Sequence, residues 1–195
     1  MSNRHWLDAA TTLTSGAIGS LNDSDFESPS KLTNWTNAHI IAHLHFNAEA
    51  IGHLVSWAKT GDENPMYSST TQRNADIEAG SRLPPSELRR LLVASTQKLA
   101  ASFDALTPDM WVSNVVTAQG RTVPATELVW MRFREVCVHG IDLGTGLTFS
   151  DFPAEAVSKL VNEIVSKRLG ANEGPALAAI LTGRNEAGPA LGAWL

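Results

Sequence analysis

Four long stretches with apolar residues at helical spacing constrain the fold of this chain more than any other feature. They lie near residues 4–20, 36–59, 84–104 and 124–143, with polar segments between them. Strand signals are scarce, apart from β-branched residues around Gly120 that predict a small β-hairpin. The sequence therefore predicts a mainly α fold, a four-helix bundle with one small hairpin.

The remaining segments predict shorter elements. A polar helix is expected near residues 68–81, a further helix over residues 153–170, and a last short helix that ends at Gly183. NDSDFESPSKLTN is expected to be a loop, TPDMW a turn, and the tail NEAGPALGAWL irregular. We therefore predict a bundle over residues 1–150 and a short helical C-terminal region over residues 151–195.

Composition narrows the classes of partner. The chain has 195 residues, of which 43% are hydrophobic, so it can bury one ordinary core. Its formal net charge is −5 and no Lys/Arg cluster stands out, so we expect no nucleic-acid partner. No apolar run could span a bilayer and no signal peptide begins the chain, so we expect no membrane partner and a cytoplasmic location. The composition specifies no oligomeric state.

Cys137 is the only cysteine, so no internal disulfide can form. It lies two residues from both Glu135 and His139, which is about 200° around a helix, so its side chain is expected to point away from theirs. We predict a small buried residue with a structural role. Any thiol chemistry would then need a thiol from outside the chain.

Glu135 and His139 are the first candidate metal ligands. They lie four residues apart in PATELVWMRFREVCVHGIDLG, a spacing that places both side chains on one face of a helix. Leu128, Met131 and Asp142 share that face, and ionisable groups are rarely buried unless they are paired or bind a metal. A carboxylate and an imidazole one turn apart form half of a metal site.

The other half is offered by WTNAHIIAHLHFNAEAIGHLVSWA, a predicted helix with four histidines. Relative to His43, His39 and Asn47 lie about 40° away on either side, whereas His45 lies about 160° and His53 about 80° away. His43 and His39 are therefore both candidate ligands. One of them, together with the pair above, would give three protein ligands and one open position, which is the pattern of a catalytic zinc.

A simpler interpretation stays open on the residues alone. A Glu and a His at spacing four are common on helices by chance, mostly as solvated surface pairs that contribute about 0.2–0.5 kcal/mol each. By themselves, the residues predict a helical bundle with a candidate zinc site.

The motifs are more specific in combination. WTNAHIIAHLHFNA, GDENPMY and TAQGRTVPATELVWMRFREVCVHGIDLG, all within residues 30–150, resemble the mycothiol-dependent maleylpyruvate isomerase family. The resemblance implies a DinB-like four-helix bundle that binds zinc (Zn²⁺) or another divalent metal. It also implies mycothiol as a low-molecular-weight thiol cofactor, a small-molecule substrate, and a place in the breakdown of aromatic compounds.

The resemblance also assigns metal ligands. The histidine of the family's A-H-L piece corresponds to His43, so the resemblance selects His43 over His39. The R-E-V-x-x-H piece supplies Glu135 and His139. The fourth position would hold water or the thiol of mycothiol. The candidates for supporting these ligands through hydrogen bonds are Asp142, Asn47 and His39.

Two of these roles have simple alternatives. ILTGR resembles the family's L-x-G-R piece, which implies that Arg184 is a catalytic residue that binds the substrate carboxylate. Arg184 could instead be a surface residue that is favourable at a helix C-terminus. Asp142 could likewise make only local hydrogen bonds at the end of its helix.

The C-terminal region departs from the family pattern. The family has a second domain with a sheet, whereas residues 151–195 contain no convincing strand and predict a domain reduced to two helices and a tail. The final AWL resembles the family's terminal residues, which suggests an internal deletion. A reduced second domain would change the substrate site more than the metal site.

The resemblance implies a reaction as well. A zinc-activated thiolate of mycothiol would add reversibly to the double bond of a maleylpyruvate-like substrate, which allows cis–trans isomerisation. Two alternatives stay open: a mycothiol-dependent transferase or detoxification enzyme of the same fold, and a non-enzymatic metal-binding module.

Overall fold

The computed structural model describes residues 3–184. The chain divides into two compact units, Met1–Asp151 and Phe152–Leu195. No helix among the described residues is long and apolar enough to cross a membrane.

The first unit confirms the predicted fold class, because it is mainly α with one small antiparallel sheet. Short 3-10 turns lie at Asp23–Glu27 and Phe149–Asp151. The helices are α1 (Arg4–Ser20), α2 (Asn37–Thr60), α3 (Thr70–Gly80), α4 (Pro85–Asp104), α5 (Pro108–Trp111) and α6 (Thr126–Asp142).

Two short segments differ from the sequence-based prediction. TPDMW, predicted as a turn, forms the one-turn helix α5, because Pro108 at the first position suits a helix start. The predicted loop after α1 contains the 3-10 turn at Asp23–Glu27. The side chain of Asp25 accepts the backbone N–H of Asn22 at 2.7 Å, a local bond that periodicity does not reveal.

Helix α2 is the central helix of the bundle. It packs on α3, α4 and α6, while α1 packs on α6. Ile40, Ile41, Leu44, Ile51 and Leu54 on α2 each expose 1% of their surface or less. A helix that is covered on several sides also buries its polar residues, and those residues need partners inside the protein.

The first turn of α2 is fixed by a side chain that the sequence offered as a metal ligand. The backbone N–H of Thr36 donates to Nδ1 of His39 at 3.2 Å, and Oγ1 of Thr36 lies 2.8 Å from the same nitrogen. This reciprocal cap satisfies groups that a helix start leaves free. Gly61 ends the helix with a φ of 80°, a conformation that favours glycine.

Helices α1 and α6 approach closely at a glycine. A Cβ atom added to Gly140 would lie 2.4 Å from Oγ1 of Thr14, so no larger residue fits without movement. The same hydroxyl donates to the carbonyl of Val136 at 3.0 Å. The backbone of α6 is therefore held against α1 within a few residues of His139.

A small hairpin precedes α6, as the β-branched residues predicted. Strands β1 (Asn114–Val116) and β2 (Thr122–Pro124) pair in antiparallel orientation, with Val115 opposite Val123. Gly120 turns the chain between them with a φ of 75°.

The hairpin leads directly into α6. The backbone N–H of Ala125 donates to the carbonyl of Ser113 at 2.9 Å, and α6 begins at the next residue. Val115 and Ala125 have no exposed surface, so both ends of this connection lie in the core. The start of α6 is therefore fixed by main-chain bonds as well as by its own packing.

The second unit contains, among its described residues, α7 (Ala154–Gly170) and α8 (Gly174–Leu181) and no strand. Arg168 donates to the carboxylate of Glu173 at 2.7 Å, which supports the turn between the two helices. The tail that was predicted to be irregular, residues 185–195, lies outside the described residues. The interpretation of this unit as a reduced second domain stays a prediction.

Candidate metal centre

Three ionisable side chains from α2 and α6 meet in the first unit. His43, Glu135 and His139 each place one ligand atom within 4.8 Å of the other two. Oε2 of Glu135 is 2.8 Å from Nε2 of His43 and 3.4 Å from Nε2 of His139. The two imidazole rings are perpendicular, with centroids 4.7 Å apart. The spacing of four on α6 and the packing of α2 against α6 together produce this group.

The donor set fits a divalent metal such as zinc. Two imidazole nitrogens and one carboxylate oxygen are ligands that zinc prefers, and three protein ligands leave a position for a further ligand. His43 and His139 expose 3% and 6% of their surface, whereas the side chain of Glu135 is 18% exposed. The group is therefore largely screened from water but retains access through the carboxylate.

His139 is held in one tautomer by Asp142. Its Nδ1 lies 2.9 Å from Oδ2 of Asp142, and because an ionised carboxylate only accepts, Nδ1 carries the hydrogen. Nε2 is then the atom that faces Glu135. Burial by itself lowers the pKa of His139, but hydrogen bonds to Asp142 and Glu135 outweigh burial and raise the pKa to about 9. His139 is therefore oriented for a ligand role. At neutral pH its ring also carries a second proton, on Nε2, which a metal would have to displace.

His43 has the opposite tautomer. Its Nδ1 lies 3.4 Å from Nη2 of Arg73, and since arginine only donates, this nitrogen accepts. The hydrogen is then on Nε2, which donates to Oε2 of Glu135 at 2.8 Å. Burial lowers the pKa of His43 and outweighs the opposing effect of Glu135, so the ring is neutral. A ligand role for Nε2 requires the hydrogen to move to Nδ1.

Glu135 is the anion of the group. Burial alone would raise the pKa of its carboxyl, but hydrogen bonds from His139 and His43 outweigh that effect and hold the pKa well below its usual range. The carboxylate is therefore ionised across the physiological range, which is the state that metal binding requires.

The other histidines of α2 have partners elsewhere. Nε2 of His39 lies 3.2 Å from the carboxylate of Glu78, while its Nδ1 caps the helix. His45 lies 3.7 Å from Glu49, and Nδ1 of His53 lies 3.3 Å from a backbone carbonyl. None of these three histidines joins the ligand group that the described residues form.

Asn47 is engaged by a buried arginine that the sequence patterns did not identify. Nη1 of Arg132 donates to Oδ1 of Asn47 and to the carbonyl of Leu44, both at 2.8 Å. Arg132 is only 2% exposed, and burial lowers its pKa to about 10 against the opposing charge of Glu135. It stays cationic at neutral pH and offsets the buried anion. Its position within the apolar run VWMRF was the signal that could have revealed it.

Arg73 and Tyr67 are further neighbours of the site. Tyr67 ends the GDENPMY motif, but the sequence analysis assigned neither residue a place at the site. The guanidinium of Arg73, on α3, lies over the ring of Tyr67 at 5.8 Å from its centroid. Burial raises the pKa of Tyr67, and the charge of Arg73 acts against that rise. Helix α3 is polar, so this proximity arises from its packing on α2 and not from periodicity.

Cys137 is fully buried, in keeping with the structural role expected for it. Burial raises the pKa of its thiol to about 12, so the thiolate is scarce at neutral pH. The thiol is also absent from the ligand group among the described residues. Cys137 is therefore a poor candidate for a nucleophile.

Arg184 belongs to the second unit, where it is exposed. Its guanidinium donates to the backbone carbonyl of Thr182, close to the end of α8. Its predicted catalytic role in binding a substrate carboxylate stays a prediction.

A separate groove of about 430 Å³ opens on another face of α2. Its lining includes Gly52 and Ser56 from α2, and Lys98 and Ser102 from α4. Gly52 is nine residues from His43, which is about 180° around the helix. None of the three candidate ligands lines this groove, so it is not part of the metal centre.

Comparison with known proteins identifies the family. The family model described as the mycothiol maleylpyruvate isomerase N-terminal domain matches residues 7–144. A crystal structure of the mycothiol-dependent maleylpyruvate isomerase is similar with a TM-score of 0.81 and 41% identity, covering 83% of this chain and 67% of that chain. A histidine-to-alanine mutant of that isomerase matches at 40% identity, with the same TM-score and coverage. No curated protein sequence matches the chain. These matches confirm the resemblance found in the motifs, and the chain belongs to the mycothiol maleylpyruvate isomerase family.

Proposed function

We propose that this chain is a metal-dependent isomerase that uses mycothiol to convert a maleylpyruvate-like cis acid into its trans isomer. The observation that carries the proposal is the group of His43, Glu135 and His139, in a chain that belongs to this family. Three protein ligands with one open position are typical of catalytic zinc sites and not of closed structural ones.

The roles of the protein side chains follow from the geometry. His43, Glu135 and His139 would bind a divalent ion, most simply zinc, through Nε2, Oε2 and Nε2. Asp142 orients His139 through the 2.9 Å bond to Nδ1. The ring of Trp35 lies 5.6 Å from the ring of His43 and would form one apolar wall of the site.

The bound groups would supply the covalent chemistry. A divalent metal would keep the thiol of mycothiol ionised near neutral pH, and reversible addition of that thiolate would turn the substrate double bond into a single bond that can rotate. The protein must hold the thiol and the acid in one place and exclude water. Its contribution to the rate is therefore positioning and a largely dry environment.

The substrate requires cations as well as a metal. A maleylpyruvate-like acid carries two carboxylates, and each needs a charged partner in a largely dry site. Arg184 stays our proposed partner for one of them. The chain spans about two thirds of the solved isomerase, so the substrate of that enzyme is a hypothesis for this protein.

The proposal is tested by metal analysis of the purified protein together with a thiol-dependent assay on maleylpyruvate. We expect about one zinc per chain and isomerisation that requires both metal and mycothiol. His53→Ala is the matched control, because His53 lies on the same helix as His43 but outside the ligand group.

Two results would redirect the proposal. Transfer of mycothiol to an electrophile without isomerisation would indicate a transferase or detoxification enzyme of the same fold. Metal binding without any thiol-dependent turnover would indicate a non-enzymatic metal-binding module.

A further inference from the structure

Arg73 is a cation beside the candidate metal centre that lacks a carboxylate partner among the residues the structure describes. Nη1 donates to the side chain of Asn74 at 3.0 Å, and Nη2 lies 3.4 Å from Nδ1 of His43, at the long end of the hydrogen-bond range. Other arginines of the first unit behave differently. Those that hold a carboxylate oxygen at 2.6 to 2.9 Å are Arg4, Arg82, Arg89 and Arg90.

Metal binding and the contact between Arg73 and His43 exclude each other. A metal held by Nε2 of His43 requires a neutral ring with its hydrogen on Nδ1. Nδ1 would then be a donor, and the guanidinium of Arg73 is a donor as well, so the 3.4 Å contact no longer stabilises either group. Arg73 would keep its charge beside the site and lose the imidazole acceptor, and its remaining partners among the described residues, the side chains of Asn74 and Tyr67, are neutral. An anionic ligand is the natural replacement.

The position of Arg73 is well defined by its surroundings. Its guanidinium lies over the ring of Tyr67, which places the planar fork beside the site. Helix α3 is closely packed on α2, since a Cβ atom added to Gly80 would lie 3.0 Å from both Cβ of Ala42 and the ring of Phe46. At its start, Ser69 caps α3 by accepting the N–H of Gln72 at 3.0 Å.

We propose that Arg73 binds a carboxylate of the organic acid that this metal centre acts on. Guanidinium forks bind carboxylates with two parallel hydrogen bonds, which fixes orientation as well as charge. The inference rests on the proposed function for the identity of the acid. It gives the site a cation of its own, supplied by the same unit as the metal ligands, in addition to any contribution from Arg184.

The test measures binding of maleate, a small cis-dicarboxylate, to the zinc-loaded protein by titration calorimetry. We expect Arg73→Ala to weaken maleate binding roughly 10- to 100-fold, as for the loss of hydrogen bonds to a charged group. Arg73→Lys keeps the charge but loses the fork, so it should fall between the two. Zinc content should stay unchanged in both variants, because Arg73 is not a ligand.

Arg82→Ala is the matched control. Arg82 lies just after the end of α3 and pairs with Glu78 on the surface. The Arg82→Ala variant should therefore bind maleate as tightly as the unmodified protein. Maleamide, the neutral diamide of the same acid, should bind with an affinity that does not depend on Arg73. Equal maleate binding by the Arg73→Ala variant would overturn the proposal, and so would a zinc-loaded protein that does not bind maleate. Loss of zinc in both Arg73 variants would show a structural role and would overturn it too.

The outcome is separable from that of the proposed function. Maleate binding that depends on Arg73, in a protein that does not isomerise maleylpyruvate, would support the carboxylate site and contradict the isomerase. Mycothiol-dependent isomerisation that is equally fast in the Arg73→Ala variant would support the isomerase and contradict the carboxylate site.

Discussion

The two helices that form the candidate metal centre contribute in different ways. The α6 half carries Glu135 and His139 on one face, and Asp142 one turn further holds His139 in the tautomer that a metal needs. The α2 half offers only His43, which has the opposite tautomer and contacts Arg73 from a third helix. One half is arranged by spacing within a helix, and the other by tertiary packing.

This difference indicates what each half must do when a metal binds. His139 keeps its orientation and gives up a proton, because its pKa is raised to about 9. His43 is already neutral, so it loses no proton but moves its hydrogen from Nε2 to Nδ1. The α6 half therefore sets the pH dependence of binding, and the α2 half decides whether Arg73 is released.

The largest effect is expected from removing the contribution of α2. His43→Ala deletes one of three ligands and should lower zinc affinity by more than about 100-fold, beyond the effect of losing a supporting residue. Zinc content after gel filtration measures this. His39→Ala should keep the zinc, since His39 bonds with Thr36 and Glu78. Loss of zinc from the His39→Ala variant, with zinc retained in the His43→Ala variant, would show that His39 is the ligand from α2.

A pH series isolates the contribution of α6. Below pH 9, zinc must displace the proton on His139, so the zinc association constant should rise about tenfold per pH unit from pH 7 to 9 and level off above. The lowered pKa of His43 keeps that ring neutral throughout this range, so it adds nothing to the slope. A slope near two protons over pH 7–9, measured with a chelator-buffered zinc titration, would contradict the distinction between the two histidines.

Asp142→Asn tests how much the hydrogen bond between Asp142 and His139 contributes to metal binding. Losing the carboxylate weakens the orientation of His139 and should lower zinc affinity about 10- to 100-fold when measured above pH 9. Near neutral pH the loss should be smaller, because the same change lowers the pKa of His139 and so reduces proton competition. Asp151→Asn is the control, since that carboxylate accepts hydrogen bonds from Thr148 in its own turn, away from the three candidate ligands. Equal losses of zinc affinity above pH 9 and near neutral pH would show that Asp142 does not raise the pKa of His139.

A smaller effect, on stability, is expected where α6 packs on α1. Gly140→Ala places a Cβ atom 2.4 Å from Oγ1 of Thr14 and should destabilise the fold by about 1–3 kcal/mol. Gly52→Ala on α2 meets open space and should instead stabilise by about 0.5–1 kcal/mol through helix propensity. Urea denaturation followed by circular dichroism compares them. Equal changes in the free energy of unfolding of the two variants would show that a Cβ atom at Gly140 causes no steric destabilisation.

The smallest effect on the metal is expected at Cys137, on the opposite face of α6. Cys137→Ser should keep both zinc and activity, at a stability cost of about 1–3 kcal/mol for placing a hydroxyl in an apolar site. Metal analysis and thermal melting provide the measurement. A folded Cys137→Ser protein without zinc would show that this thiol has a role beyond packing.

The difference between the halves also explains what the sequence could predict. Glu135, His139 and Asp142 share one helix, so their relation follows from 3.6 residues per turn. Helical spacing left His43 and His39 equally acceptable, and the family resemblance was needed to choose between them. The structure supplies the physical reason, because His39 is occupied by the helix cap and by Glu78.

What the sequence could not predict depends on contacts between helices. Arg73 lies in a polar helix without a periodic signal, and it approaches His43 only because α3 packs on α2. Arg132 has a local signal, since it lies within the apolar run VWMRF, but its partners Asn47 and Leu44 are on α2 and follow only from the packing of α6 on α2. The fold was easier to predict, because each long helix carries its own apolar pattern and Gly120 marks the hairpin.

The hairpin before α6 has a consequence for how such a site can change. A helix turns about 100° per residue, so the residue at which α6 starts determines the direction of every side chain after it. The bond between Ala125 and Ser113 fixes that start. One residue inserted between β2 and α6 would rotate Glu135 and His139 away from His43, whereas one inserted beside Gly120 would only lengthen a surface turn. Two strands of three residues thus determine which face of α6 is directed towards His43.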